Sequence, residues 1–98
     1  MPDFLLLMHD DATDERTEAW PAYFDGLAAS GRLRGGSAIG AGVCARKVGA
    51  PPPVSTQLTG FIRIEADNLE AALACLAGNP VYEGGGTVEV RALPEDED

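Results

Sequence analysis

The chain has 98 residues, with sixteen acidic side chains against seven basic ones and a formal net charge of −9. A chain of this length makes one domain, and a domain so small buries only about two thirds of the surface its unfolded form exposes, so it gains from self-association. The acidic excess repels phosphate backbones and anionic membrane surfaces, which excludes nucleic acid and membranes as expected partners.

The first element is the unbroken apolar run Phe4 to Met8, a strand by its length. Both of its rows are apolar, Phe4, Leu6 and Met8 against Leu5 and Leu7, which predicts that both faces are covered. The run is far too short to span a bilayer and shows neither the basic leader nor the small-residue cleavage site of a secretion signal, so a cytoplasmic location is expected. Trp20, Phe24, Leu27 and Ala28 then recur at helical spacing before Gly31. Proline is tolerated only in a first turn, so Pro21 sets this helix at about Glu18 to Ser30. Between Gly35 and Val48 small and apolar residues predict a strand interrupted at Gly40 and Gly42 by a bulge or tight hairpin. Pro51, Pro52 and Pro53 read as an exposed linker.

From Phe61 to Glu65 apolar and charged residues alternate, Ile62 and Ile64 on one face and Arg63 and Glu65 on the other. Asp67, three residues before Glu70, resembles a capping box and starts a helix near Asn68. Leu69, Ala72, Leu73 and Leu76 form its apolar stripe, and Gly78, Asn79 and Pro80 stop it near Ala77. Past a flexible Gly84, Gly85 and Gly86, the segment Thr87 to Leu93 alternates again, with Val88 and Val90 opposed to Glu89 and Arg91.

The order βαββαβ predicts an α+β fold, a ferredoxin-like sandwich with an antiparallel sheet and two helices on one face. Residues 1–94 make up this single domain, and 95–98 are an acidic tail. The helices cover Ile62, Ile64, Val88 and Val90, leaving Arg63, Glu65, Glu89 and Arg91 beside one apolar row of the first strand. A second copy of the chain is the economical cover for that face, so a homodimer is predicted.

Several segments together resemble the YCII-related proteins, and in particular their DGPF-domain branch. They are Phe4-Leu5-Leu6-Leu7-Met8-His9, Ala29-Ser30-Gly31-Arg32-Leu33, Gly60 to Asp67 and Gly85 to Arg91. The resemblance implies a dimeric α/β barrel of the ferredoxin-like kind with a pocket between the sheet and the surrounding loops. In the best-known branch of that family a histidine on the first helix and an aspartate after the second helix are thought to form an acid and base pair. Here Tyr23 and Asn79 stand at those two places, and the Asp-Gly-Pro-Phe motif is not matched by Pro53 to Leu58. Neither a phenol nor an amide shuttles protons readily near neutral pH.

Among the remaining residues His9 and Asp10, with Asp11, sit at the end of the first strand, where loops gather. They are the catalytic candidates, His9 as proton carrier with a neighbouring carboxylate to orient it; the plain alternative is a strand-end histidine beside a solvated acidic loop. Tyr23, Arg63, Asn79 and Arg91 are the ligand-binding candidates. Trp20, Tyr23 and Phe24 equally suit a helix core. Cys44 and Cys75 lie in unrelated elements and are read as plain thiols. One histidine with adjacent acids is a weak ligand set, and Gly35 to Gly40 lacks the lysine of a phosphate loop, so no metal and no cofactor are predicted. The favoured function is binding of a small metabolite in a pocket of the homodimer by a catalytically degenerate member. The alternative is a lyase or isomerase type of enzyme with His9 as general acid and base and Arg63 or Arg91 fixing an acidic substrate group.

Overall fold

The alternating segments become strands. In the computed structural model, which describes residues 2–94, β1 runs Asp3–His9, β2 Leu33–Ala38, β3 Leu58–Glu65 and β4 Val88–Leu93. A 3-10 turn at Thr17–Ala19 leads into α1, Trp20–Ala29, and the other helices are α2, Leu69–Ala74, and α3, Pro80–Glu83. Every strand pair is antiparallel and the spatial order is β2-β3-β1-β4. This is an α+β fold of the ferredoxin-like kind, with an open sheet that is not closed into a barrel. The acidic tail 95–98 lies outside the described residues.

β1 is central, with β3 on one side and β4 on the other, which accounts for its unbroken apolar sequence. Its row Phe4, Leu6 and Met8 meets Ile62 and Ile64 of β3 and is sealed by Tyr23 and Leu27 from α1, Leu76 beyond α2, and Val81 of α3. Leu6, Ile62 and Ile64 are wholly buried, each contributing about 1.5–3 kcal/mol relative to an exposed side chain. The other row, Leu5, Leu7 and His9, is only half-buried, as is Phe61 opposite Leu7. The molecule measures 19 Å along its shortest axis, about the thickness of one sheet and one helix layer.

Local details differ from the sequence reading in several places. Asn68, not Asp67, caps α2, its side chain accepting from the Ala71 amide at 2.8 Å. Of the expected stripe, Ala72 on α2 and Leu76 in the turn beyond it are buried whereas Leu69 and Leu73 are 52% and 47% exposed, because the helix ends at Ala74 rather than near Ala77 and so short a helix turns only part of its apolar face to the sheet. Pro80 does not merely end a helix. It stands in the first turn of α3, where its missing N–H costs nothing. The irregularity of β2 lies between Leu33 and Gly35, with Gly35 at φ +125°, and the chain leaves the sheet after Ile39 rather than forming a hairpin at Gly40 and Gly42.

The triple glycine, expected as a flexible turn, is a packing device. A Cβ on Gly84 would stand 2.6 Å from the Asp14 carbonyl oxygen. The Gly84 carbonyl accepts from the amides of Thr13 and Asp14 at 3.0 and 3.1 Å, which ties the loop after β1 to the end of α3.

Candidate functional site

His9 ends β1 in the row of Leu5 and Leu7, on the face the helices leave uncovered. On β4, Glu89 stands opposite Leu7 and Arg91 opposite Leu5. Glu89 reaches both neighbours: Oε1 lies 3.1 Å from His9 Nε2, and Oε2 accepts from Arg91 Nη1 at 2.8 Å. An ionised carboxylate only accepts, so the hydrogen in this contact is carried by Nε2, and whenever the ring is neutral Nδ1 is then its acceptor. Hydrogen bonds from Arg91 first and His9 second hold the Glu89 carboxyl below its ordinary range. The His9 side chain keeps 20% of its surface exposed.

Asp10 is not the partner of His9. Its side chain is exposed and its amide donates to the Gln57 carbonyl at 2.7 Å. Asp11 accepts from the amide and hydroxyl of Thr87 at 2.8 and 2.6 Å, bonds that lower its carboxyl pKa and fasten the loop to the start of β4. Glu89 was missed as the partner of His9 because it lies 80 residues away in the chain. The signal for it was the register: with β4 antiparallel beside β1, Glu89 falls diagonally across from His9.

Across the same face Arg63 stands opposite Leu5, its Nε 2.6 Å from Asp3 Oδ2, and Arg34 lies 2.9 Å from Glu65. Leu5 is therefore flanked by two guanidinium groups, each held by a carboxylate.

Tyr23 and Asn79 lie on the other side of the sheet. Tyr23 projects from α1 into the core and its hydroxyl donates to the Cys75 carbonyl at 2.7 Å. Asn79 is wholly buried, and its Oδ1 accepts from the amides of Val81 and Tyr82 at 3.0 and 3.1 Å as the N-cap of α3. Burial pushes the Tyr23 phenol up, a rise opposed by the Asn79 amide beside it. The two groups are close without forming a well-aligned bond, and Asn79 Nδ2 has no partner among the described residues. Burial also raises the Cys75 thiol. Both acids stay neutral near pH 7, next to a cavity of about 470 Å³ that Tyr23, Cys75, Arg32 and small residues such as Gly26 and Gly78 line.

The six candidate residues thus divide. His9, Arg63 and Arg91 share the uncovered face, with Asp10 at its edge, whereas Tyr23 and Asn79 meet beneath the helices. Among the described residues no three His, Cys, Asp or Glu side chains are grouped to hold a metal, and no helix is long and apolar enough to cross a membrane.

The sequence model of the YCII-related domain matches residues 1–95. No curated protein matches the chain. With nearly its whole length covered by that model, the chain belongs to the YCII-related family.

Proposed function

We propose that this member of the YCII-related family is a cytoplasmic homodimer, two sheets packed face to face, that binds a small metabolite between its protomers without turning it over. The observation that carries this reading is the uncovered sheet face. Leu5, Leu7 and Phe61 lie half-buried there, flanked by the pairs Asp3 with Arg63, Arg34 with Glu65, and Glu89 with His9 and Arg91. An apolar centre inside a charged rim is the anatomy of a protein interface, and a two-fold axis through it sets each strip against its twin. In this arrangement His9, Arg63 and Arg91 border the enclosed space and fix a polar end of the ligand. The cytoplasmic location rests on the sequence argument alone.

Absence of turnover is supported from the other side of the sheet. The two positions that the family resemblance assigns to a proton-transfer pair hold a phenol and an amide that serve structure, one bonded to Cys75 and the other capping α3. A second reading, His9 as general base, draws on the contact with Glu89, which orients the ring and leaves Nδ1 to accept a proton.

Light scattering tests the dimer. A mass twice the 10.2 kDa of the chain is expected at micromolar concentration, and Leu7→Asp should give a monomer with unchanged helical circular dichroism; a monomeric wild type overturns the reading. Native mass spectrometry of the purified protein should then show a retained small compound that Leu7→Asp loses. A compound chemically altered by the wild type and left intact by His9→Ala would favour the enzymatic reading instead.

A further inference from the structure

We propose a second binding site, on the helix-covered side of the sheet, for a flat ring that carries an ammonium group. It is independent of the interface reading above. Where β2 and β3 run beneath α1, the facing positions Gly36, Ala38 and Gly60 carry no side chain larger than a methyl, with Ile62 and Met8 beside them. Ala38 stands opposite Gly60 and Gly36 opposite Ile62. The consequence is a cavity of about 410 Å³, floored by Gly36, Ala38 and Gly60 and walled by Trp20 and Phe24. Small-molecule sites occupy roughly 300–1,000 Å³.

The floor is flat for a reason of geometry. A Cβ on Gly36 would lie 2.7 Å from the Phe61 carbonyl oxygen, and one on Gly60 3.1 Å from that of Ser37. A side chain at Gly36 could not fill the space without moving a strand, and one at Gly60 would press on the Ser37 carbonyl and on Met8 Cε, 3.3 Å away. The wall is aromatic: Trp20 and Phe24 stack with centroids 5.6 Å apart and planes 27° apart, and both are only partly buried. Their remaining surface is what a planar ring stacks on.

Charge selects the rest of the ligand. Glu15 is the one charged side chain lining the cavity among the described residues. One of its oxygens, Oε2, accepts from the Trp20 indole N–H at 2.9 Å, which holds the carboxylate beside the aromatic wall. A cation here meets a carboxylate and two π faces together, both attractive. An anion meets the same carboxylate in a chain of net charge −9, both repulsive.

The test uses three probes with one ring and one linker: phenethylamine, phenethyl alcohol and hydrocinnamate. The chain has a single tryptophan, so Trp20 fluorescence reports occupancy directly. A saturable response is expected in the order amine, alcohol, carboxylate. Glu15→Gln should weaken the amine about fivefold while leaving the alcohol unchanged. Ala38→Leu, which fills the floor from a position that already tolerates a Cβ, should abolish binding of all three. Amide shifts in the wild-type chain keep the proposal testable should that variant misfold, and with the amine they should centre on Gly36, Ala38, Gly60 and the Trp20 indole. No saturable response, or shifts centred on His9 and Glu89, overturns the site; hydrocinnamate bound as tightly as the amine overturns its charge preference.

Discussion

One sheet presents two differently finished faces. On the helix side Phe4, Leu6, Met8, Ile62 and Ile64 are each at most 5% exposed, and the chain's own backbone takes up the Tyr23 hydroxyl on Cys75 and the Asn79 Oδ1 on α3, leaving Asn79 Nδ2 alone without a partner among the described residues. On the opposite side the alternate residues of the same two strands, Leu5, Leu7 and Phe61, are half-buried, and their polar neighbours are satisfied by ion pairs open to water. Hydrophobicity is similar in the two rows of β1. What distinguishes them is the lateral company: only apolar or small residues flank the covered row, whereas Arg63, Arg91 and Glu89 join Phe61 beside Leu5 and Leu7. A face can thus be apolar enough to need cover and charged enough at its rim to persist without it.

The sharpest way to break this contrast is to remove equal bulk from each face. Ile62→Ala should cost about 2–5 kcal/mol in urea unfolding, since the side chain is wholly buried. Leu7→Ala should cost less than about 1.5 kcal/mol in dilute protein. If the proposed dimer forms, that cost should grow as concentration rises, because association would add stability to the wild type that the variant lacks. Equal and concentration-independent costs would mean that the two faces are energetically alike.

The buried polar groups give the next effect. Asn79→Ala removes the cap of α3 and should cost about 1 kcal/mol, in part offset because the unpartnered Nδ2 goes with it. Tyr23→Phe deletes the bond to Cys75 and should cost a further amount of about 1 kcal/mol at neutral pH. Its pH dependence has a defined sign. The phenol's folded pKa is raised by burial, so its contribution is complete below about pH 10 and is lost as pH climbs through the higher folded value. The stability difference between wild type and Tyr23→Phe should therefore shrink in alkali, and a difference that stays level would place Tyr23 in a wetter setting than its 7% exposure implies.

The sequence was most legible where side chains alternate. β3 and β4 write their two faces as Ile or Val against Arg or Glu, and the double apolar row of β1 marks it as central. It was least legible where there is little side chain to read: β2, Leu33–Ala38, holds two glycines, a serine and an alanine, and is a strand chiefly because β3 pairs with it. Pro80 misled for a chemical reason, since the lack of an N–H that ends one helix equally suits the start of another. The site suffers from distance. Alternation put Glu89 and Arg91 on the right face, but only the register of β4 on β1 brings Glu89 to His9 rather than Asp10 or Asp11. The meeting of Tyr23 with Asn79 depends on how α1 and α3 pack, which no local pattern records.

The smallest effect belongs to the rim. Glu89 is accessible to water, so Glu89→Gln should change neutral-pH stability only slightly. Its diagnostic value lies in acid. Hydrogen bonds from Arg91 and His9 depress the folded carboxyl pKa, so the contribution is present above the ordinary carboxylate range and is lost as pH falls below about 4. Wild type and Glu89→Gln should converge there in thermal melts. Proton resonances of His9 followed in the two proteins add a separate reading, because glutamine can present an N–H as well as a C=O and so no longer fixes which ring nitrogen is protonated. An unchanged His9 spectrum in the variant would mean that Glu89 does not orient the ring, and the enzymatic alternative would lose its one structural support.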